Sequence, residues 1–474
     1  MQRGKSMIAA LCAGGVMVGL WGAATPAYAQ KKSVAEELIE ILEADGKISK
    51  SKADELRQRA KVENEAREAG VEAFRRDPVK SVKAEKELDW LNRLSFFGDG
   101  RFRLEGFYQD KGSSANARTR ERIRLRLGVR ARISDELEGV LRLASGDPND
   151  PISTNQSLDN LFTRKSISLD QWYLQFSPGQ SLGLGGWEWK PLTITAGKMP
   201  ITLWRPRAIM NSEMIFDDDL TPEGTAETFT PYQASDGIIR RFQINAIQWL
   251  ARESARAAES FIWGGQLVGN FQLLPTANMT LSVGDYFFAH QSLFAKERNT
   301  NSALKLTNAV RLKSGKIIPG GAPISPNTQD PIVDYVSRFN VLNASAQLDI
   351  NTGYAQWPLA FFVDYAHNTE AKGGDDNAYW VGAGLGTLRN PGDLAFSAVW
   401  ARTETESLMS YFTYSDFGRD GGTNVQGPFL RIDYLLFPRL TLTAKNHFVS
   451  YIDRPKGFSN SLVNRFQLDA QLAF

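Results

Sequence analysis

From Asp99 onward, apolar and polar residues alternate with a period of two in one run after another. The clearest run is 120–133, where even positions carry arginine and odd positions carry aliphatic residues. The arginines are Arg120, Arg122, Arg124, Arg126, Arg130 and Arg132. A helix would spread these charges around its circumference, whereas a strand places all of them on one face. The pattern therefore predicts a β-strand with one charged and one apolar face.

Similar alternation recurs along the chain, for example at 342–350, 430–436 and 440–448. These runs are close to the ~9–11 residues that a tilted strand needs to cross a bilayer. Candidate strands begin near residues 99, 120, 136, 167, 191, 226, 238, 260, 278, 339, 358, 378, 393, 425, 439 and 462. Because every backbone group inside a membrane must be paired, such strands have to close on themselves. We predict an all-β transmembrane barrel of about sixteen antiparallel strands over 99–474.

The segments between these strands alternate between short and long. Short turns are predicted at 134–135, 275–278, 390–393 and Pro438, and long segments at 145–166, 199–225, 289–338 and 405–424. Outer-membrane barrels have short periplasmic turns and longer extracellular loops. We therefore expect the long segments to lie outside the cell, with 199–225 as the third external loop.

The first residues have the three-part layout of a cleavable secretory signal. Arg3 and Lys5 give a basic start, an apolar run follows, and 27–29 is a small-x-small cleavage site. A transmembrane anchor is the alternative, but the apolar run is rich in Gly and Ala and the cleavage site is well placed. We predict that 1–29 is a signal peptide that is cleaved near Ala29.

Residues 30–90 are predicted to form a periplasmic leader and linker. Val34, Leu38 and Ile41 fall at helical spacing, and a second helix is predicted around Leu56. The pattern leaves two interpretations open, a helical pair or short coiled coil that assists oligomerisation and a solvated leader.

Composition restricts the classes of function. The net charge is only +2, whereas a nucleic-acid-binding protein of this size would usually be basic, so no nucleic-acid partner is predicted. Cys12 is the only cysteine and lies in the predicted signal, which leaves the mature chain without thiol chemistry. The only histidines are His290, His367 and His447, and none belongs to a cluster with metal-ligand spacing. We predict no enzyme activity, no metal and no cofactor.

Several segments, taken in order, resemble the Gram-negative "putative porin" family. They are 122–128, 143–146, 151–156, 169–174, 192–199 and 217–224, for example Arg-Ile-Arg-Leu-Arg-Leu-Gly at 122–128 and Asp-Asp-Asp-Leu-Thr-Pro-Glu-Gly at 217–224. The resemblance is closest over 99–225, and the helical leader also fits the family. It implies a passive diffusion channel of about sixteen strands in the outer membrane. A homotrimer is one assembly compatible with this resemblance.

The charged strand faces predict the lining of a water-filled lumen. The predicted pore-lining residues are Arg120, Arg122, Arg124, Arg126, Arg130, Arg132, Arg142, Lys445 and Arg465. In general porins the third external loop often folds into the lumen. Here that loop carries Glu213, Asp217, Asp218, Asp219 and Glu223. The hypothesis is that these carboxylates face the arginines across the narrowest point; a solvated surface loop is the alternative.

The predicted function is passive diffusion of small hydrophilic solutes and ions through an outer-membrane porin. The partners expected are outer-membrane lipid and lipopolysaccharide, besides the solutes themselves. A substrate-selective anion channel is the nearest alternative, because guanidinium groups match phosphate-like oxyanions. An adhesive or structural barrel is a further alternative, and it would conduct ions poorly.

Overall fold

The computed structural model describes residues 39, 43, 47–62, 91–109, 118–159, 161–253, 258–325, 327–417, 422–456 and 462–474. The chain divides into two compact units, Met1–Asp89 and Trp90–Phe474. The predicted signal peptide and much of the predicted leader lie outside the described residues. In the first unit, 50–62 form a helix, and Arg57 donates hydrogen bonds to Glu43 and Asp54. None of the described helices is both long and apolar enough to cross a membrane.

The described part of the second unit contains sixteen antiparallel strands that form one closed barrel. They are β1 (Leu94–Gln109), β2 (Arg118–Arg132), β3 (Leu137–Ser145), β4 (Ile167–Phe176), β5 (Leu192–Lys198), β6 (Glu223–Gln233), β7 (Ile239–Arg252), β8 (Ser260–Leu274), β9 (Ala277–Phe288), β10 (Asn340–Ile350), β11 (Leu359–Asn368), β12 (Asn377–Gly386), β13 (Leu394–Thr403), β14 (Val425–Phe437), β15 (Leu440–Tyr451) and β16 (Val463–Ala473). Each strand pairs with its neighbours in sequence, and β16 also pairs with β1, which closes the sheet. The predicted fold class is confirmed. The largest difference in a strand start is at β1, which begins at Leu94 rather than near Asp99.

Side chains on β2 alternate between two faces. Leu125 and Leu127 point outward with 38% and 42% of their surface exposed, whereas Arg124 between them is only 8% exposed and points inward. The outward row is apolar, as a lipid-facing surface requires. The alternation of the sequence thus corresponds to the inner and outer surfaces of the barrel.

The inner surface is not polar throughout, which simple alternation does not predict. The side chains of Ile247, Trp249, Ile262, Tyr286 and Phe429 point inward and are at most 3% exposed. They belong to a continuous apolar core that includes loop residues as well as strand residues. One side of the barrel interior is therefore filled by packed side chains, because buried apolar groups are stabilised by apolar partners.

Long connections emerge at one end of the barrel, here called the loop end; the opposite end is the turn end. The connections used below are L2 (146–166), L3 (199–222), L5 (289–339) and L7 (404–424). L3 and L7 fold into the barrel. Phe216 of L3 lies edge-on to Trp249 and Tyr286, with ring centroids 5.2 and 5.6 Å apart. Phe412 of L7 stacks on Phe288 of β9 at 6.3 Å.

L5 contains regular structure of its own. A short helix spans Ser292–Glu297, and a three-stranded sheet is formed by Val310–Leu312, Ile317–Ile318 and Ile332–Tyr335. Phe294 of the helix lies 5.9 Å from Phe412 of L7, ring centroid to ring centroid. L5 thus covers the inward-folded part of L7 at the loop end.

Candidate pore constriction

Inward ionic side chains of β1, β2 and β16 form a surface that we call the charged wall. Its members are Asp99, Arg101, Arg103, Glu105, Arg120, Arg122, Arg124, Arg126, Arg465 and Asp469. Arg124 Nη2 and Arg126 Nε donate to the Asp99 carboxylate at 2.6 and 2.5 Å. Cross-strand neighbours are about 5 Å apart, so β1 carboxylates meet β2 arginines before any loop can. The arginines of β2 are therefore neutralised mainly from the adjacent strand.

L3 crosses the lumen and is fastened to the opposite wall. The side chain of Gln266 on β8 bonds both the N–H and the carbonyl of Trp204, at 2.9 and 2.8 Å. Ser212 Oγ donates to Asp364 of β11 at 2.5 Å, and the N–H of Arg207 donates to Gln347 of β10 at 2.8 Å. L3 is therefore anchored to the inward faces of β8, β10 and β11.

Asp219 connects L3 to the charged wall. Its Oδ1 lies 3.3 Å from Arg126 Nη1 and 3.9 Å from Arg124 Nη1. Its Oδ2 accepts hydrogen bonds from the N–H and Oγ1 of Thr154 in L2, at 3.1 and 3.0 Å. Burial alone would raise the pKa of Asp219, but Arg124 and Arg126 outweigh this effect and lower the pKa to about 2. Asp219 is therefore ionised at neutral pH.

Two other acidic residues predicted to oppose the arginines do not do so. Asp218 forms an ion pair with Arg205 of its own loop at 2.5 Å, and its side chain is 41% exposed. Glu223 is not in the loop at all: it is the first residue of β6 and pairs with Lys198 of β5 at 3.0 Å. The physical reason is proximity, since each carboxylate has a cation closer along its own loop or sheet than β2.

Asp217 and Glu213 join L3 to L7 instead of facing the arginines of β2. Asp217 accepts hydrogen bonds from the N–H groups of Asp219 and Ser415, each at 2.8 Å, and the Tyr414 N–H donates to the Glu213 carbonyl at 3.1 Å. Burial and the nearby Asp219 charge raise the pKa of Asp217 to about 8. Burial and Asp217 likewise raise the pKa of Glu213.

L7 supplies an acidic residue that the sequence analysis did not single out. Asp416 accepts hydrogen bonds from Arg103 Nη1 at 2.8 Å and from Arg465 Nη2 at 2.6 Å. The only sequence signal for this contact is the length of 405–424, because L7, like L3, has enough residues to fold into the barrel. The charged wall is thus contacted by two inward loops, through Asp219 and Asp416.

A pH-dependent junction between L3 and L7 is expected from Asp217. Its pKa is raised from 3.8 to about 8 in the docked structure. Between these two pH values Asp217 is protonated while L3 and L7 are docked, and it would lose that proton if the two loops separated. Docking is therefore strongest in acid, weakens as pH rises through this window, and is constant above it. The charged groups around the junction are Asp219, Asp218, Glu213 and Lys445.

Single-channel conductance measured from about pH 5 to about pH 9 tests this prediction and should rise with pH as the junction loosens. Asp217→Asn keeps the acceptor oxygen but cannot ionise, so it should flatten the profile. Glu213→Gln serves as the second variant. A profile that is unchanged in both variants would refute the assignment.

The remaining predicted pore-lining residues form no ion pair with Asp219 of L3. Arg130 pairs with Glu138 of β3 at 2.9 Å with half of its side chain exposed, and Arg142 pairs with Asp170 of β4. Lys445 is buried and donates to the Tyr414 hydroxyl at 3.5 Å. Arg132 is exposed at the end of β2.

A Gly-x-Ser-x-Gly sequence at 179–183 lies in a turn, where Ser181 is in the 3-10 helix Gln180–Leu182. The described histidines have other hydrogen-bond partners: His290 bonds the Glu259 carbonyl, His367 bonds Asn377, and His447 bonds Tyr414 of L7. Within the described ranges, no group of three or more His, Cys, Asp or Glu residues is arranged to hold a metal ion.

A family model described as "Putative porin" matches residues 112–474. A comparison with curated proteins finds no match. Among solved structures, OprB of Pseudomonas putida at high pH has a TM-score of 0.51 and 12% identity, covering 82% of this chain and 97% of that chain. OmpF of Salmonella typhi in complex with daunomycin has a TM-score of 0.44 and 8% identity, covering 80% of this chain and 97% of that chain. The outer membrane channel DcaP of Acinetobacter baumannii has a TM-score of 0.41 and 11% identity, covering 80% of this chain and 97% of that chain.

Proposed function

The chain belongs to the "putative porin" family of outer-membrane channels, and on this premise we propose that small hydrophilic solutes and ions diffuse passively through its barrel. The observation that carries the proposal is the opposition of charge inside the barrel, where Asp219 of L3 meets Arg124 and Arg126 of β2. Fixed charges of both signs on the wall of a pore create an electric field inside it. Such a field orients polar solutes and disfavours apolar ones.

Two cavities are lined in part by residues of L3. One, of about 790 Å³, is lined by Arg207 and Ile209 of L3 and by Asn351 at the turn end. The other, of about 400 Å³, lies at the loop end and is lined by Leu220 of L3 and Tyr411 of L7.

Single-channel recording of the purified full chain in a planar bilayer under a KCl gradient tests the proposal. Stepwise open channels with a non-zero reversal potential are the expected result. Correctly folded protein that never conducts would contradict the proposal and would favour an adhesive or structural barrel.

Neutralising Asp219 is expected to shift selectivity toward anions. Asp219→Asn keeps the oxygen that accepts from Thr154 but leaves Arg124 and Arg126 with less compensating charge. A unit charge about 4 Å from a passing ion is worth about 1 kcal/mol in water. The anion-to-cation permeability ratio should therefore rise about fivefold, as read from the reversal potential.

Asp218→Asn is the matched control, since it removes the same charge from the same loop. The Asp218 carboxylate is partly exposed and paired with Arg205, so the effect on permeability should be much smaller. Equal shifts in the two variants would show that loop charge, rather than the contact of Asp219 with β2, sets selectivity.

The apolar outer surface supports membrane lipid as a partner of the channel. Exposed apolar side chains such as Leu267 and Val283, each 60% exposed, belong to the outward rows of the strands. We expect this surface to contact outer-membrane lipid and lipopolysaccharide, and a homotrimer is the assembly that we propose to test by chemical cross-linking in detergent.

A further inference from the structure

Two arginines of the charged wall, Arg101 and Arg122, lack the close carboxylate partner that the neighbouring arginines have. Arg122 Nη2 donates to Ser153 Oγ at 3.3 Å and to the Asn155 carbonyl at 3.4 Å, both longer than most such bonds. No carboxylate of the described residues forms an ion pair with Arg122. For Arg101 the paired carboxylate is Asp469, at 3.8 Å. Both arginines therefore carry charge that is incompletely balanced.

The Nε–H groups of these arginines are also unsatisfied. Arg101 Nε and Arg122 Nε are buried and have no hydrogen-bond partner among the described residues. Arg103, on the same strand as Arg101, shows the contrast: it donates to Asp469 at 2.6 and 2.8 Å and to Asp416 at 2.8 Å. Buried donors without partners cost free energy, so an acceptor that reached them would be bound favourably.

The two guanidinium groups converge on one place. Arg101 lies opposite Arg124 and Arg103 opposite Arg122 in the pairing of β1 with β2, which makes Arg101 and Arg122 diagonal neighbours. Both donate to Asn155 of L2, Arg101 to its side-chain oxygen at 2.5 Å and Arg122 to its carbonyl. The oxygens at the meeting point are neutral.

We propose that Arg101 and Arg122 form a binding site for a small oxyanion of the phosphate type on the pore wall. The inference rests on the proposed function, because the anion has to enter the lumen. An anionic oxygen attracts a guanidinium group through its negative charge, which the neutral oxygens of Asn155 and Ser153 lack, so an oxyanion would displace them. The planar guanidinium fork matches two oxygens of an oxyanion, which a spherical chloride ion cannot provide.

Such a site makes transport saturable. An oxyanion held by two guanidinium groups remains in the passage longer than chloride and interrupts the chloride current while it is bound. The channel should therefore favour oxyanions at low concentration and show a half-blocking concentration that depends on Arg101 and Arg122.

The test is single-channel recording of the full chain in KCl while inorganic phosphate is added at constant pH and ionic strength. The expected result is a saturable reduction of the chloride current. Arg122→Gln should raise the half-blocking concentration by about tenfold or more, the fold-change expected when a charge-assisted hydrogen bond is lost. Arg122→Lys keeps the charge but not the planar guanidinium group. Its half-blocking phosphate concentration should lie between those of the unaltered chain and of Arg122→Gln.

Arg431→Gln is the matched control, because Arg431 is bound to Asp433 through two hydrogen bonds and lies away from L2. It should leave the half-blocking concentration unchanged. A channel that conducts in KCl but is not blocked by phosphate, or is blocked equally in Arg122→Gln and Arg122→Lys, would overturn this inference and leave the proposed function standing. Absence of any channel in KCl would instead refute the proposed function.

Discussion

Replacing Glu105 by alanine is expected to lower the free energy of unfolding by about 3–5 kcal/mol, the cost of removing one partner from a buried ion pair. The Glu105 side chain is fully buried. It accepts hydrogen bonds from Arg465 at 2.5 and 2.8 Å, from Gln467 at 2.8 Å, and from Arg120. Its removal leaves two guanidinium groups short of negative charge in a site where water is largely excluded.

Urea unfolding of the detergent-solubilised chain, followed by tryptophan fluorescence, measures this change in the free energy of unfolding. Asp159→Ala is the control, since Asp159 pairs with Lys165 at 2.9 Å but is half exposed. Exposed pairs contribute about 0–1 kcal/mol, so this variant should unfold much like the unaltered chain. Similarly small losses in the two variants would mean that water reaches Glu105 freely.

The second large effect is expected for Asp416→Ala, which removes the side chain that anchors L7 to the charged wall. Asp416 bridges Arg103 and Arg465, and each charge-assisted hydrogen bond is worth about 1.5–3 kcal/mol. Loss of these bonds should reduce the equilibrium constant for docking of L7 by about tenfold or more. Conductance should rise as the loop leaves the lumen, and selectivity should move toward anions because two guanidinium groups lose a partner.

Asp416 is ionised near neutral pH, so small changes of pH do not alter its contact with the charged wall. Burial would raise the pKa of Asp416, but Arg465 and Arg103 outweigh it and hold the pKa well below its usual value. A carboxylate with a lowered pKa stabilises the docked state above its unperturbed pKa and loses this effect only as the pH falls through the acid range. The anchoring interaction is therefore fully present at neutral pH.

Glu404→Gln is the matched control for Asp416→Ala. Glu404 begins the same loop and carries the same charge, but it pairs with Arg402 of β13 at 3.0 Å rather than with the charged wall. Single-channel conductance and reversal potential of the two variants distinguish the effect of losing the Asp416 contact with the charged wall from the effect of losing one negative charge from L7. An Asp416→Ala channel with unaltered conductance would show that the apolar contacts of Phe412 hold L7 in place without Asp416.

The amino-acid sequence by itself determined the strands of the barrel and their two faces. The alternation at 120–133 predicted β2, because a period of two is a local property of neighbouring residues. The need to pair every backbone group in a membrane then required closure, and β16 indeed pairs with β1. The bounds of L3 were placed within a few residues, although Glu223 belongs to the sheet rather than to the loop.

Only the tertiary structure decided where the loops go and which charges meet. Arg103 is bound by Asp469 and Asp416, which follow it by 366 and 313 residues, and no periodicity relates such distant positions. The inward apolar side chains of Trp249 and Phe429 became interpretable only with L3 and L7 packed on them. Local patterns record which face of a strand is apolar, whereas the pairing of charges across the lumen depends on closure of the barrel and on the folding of its loops.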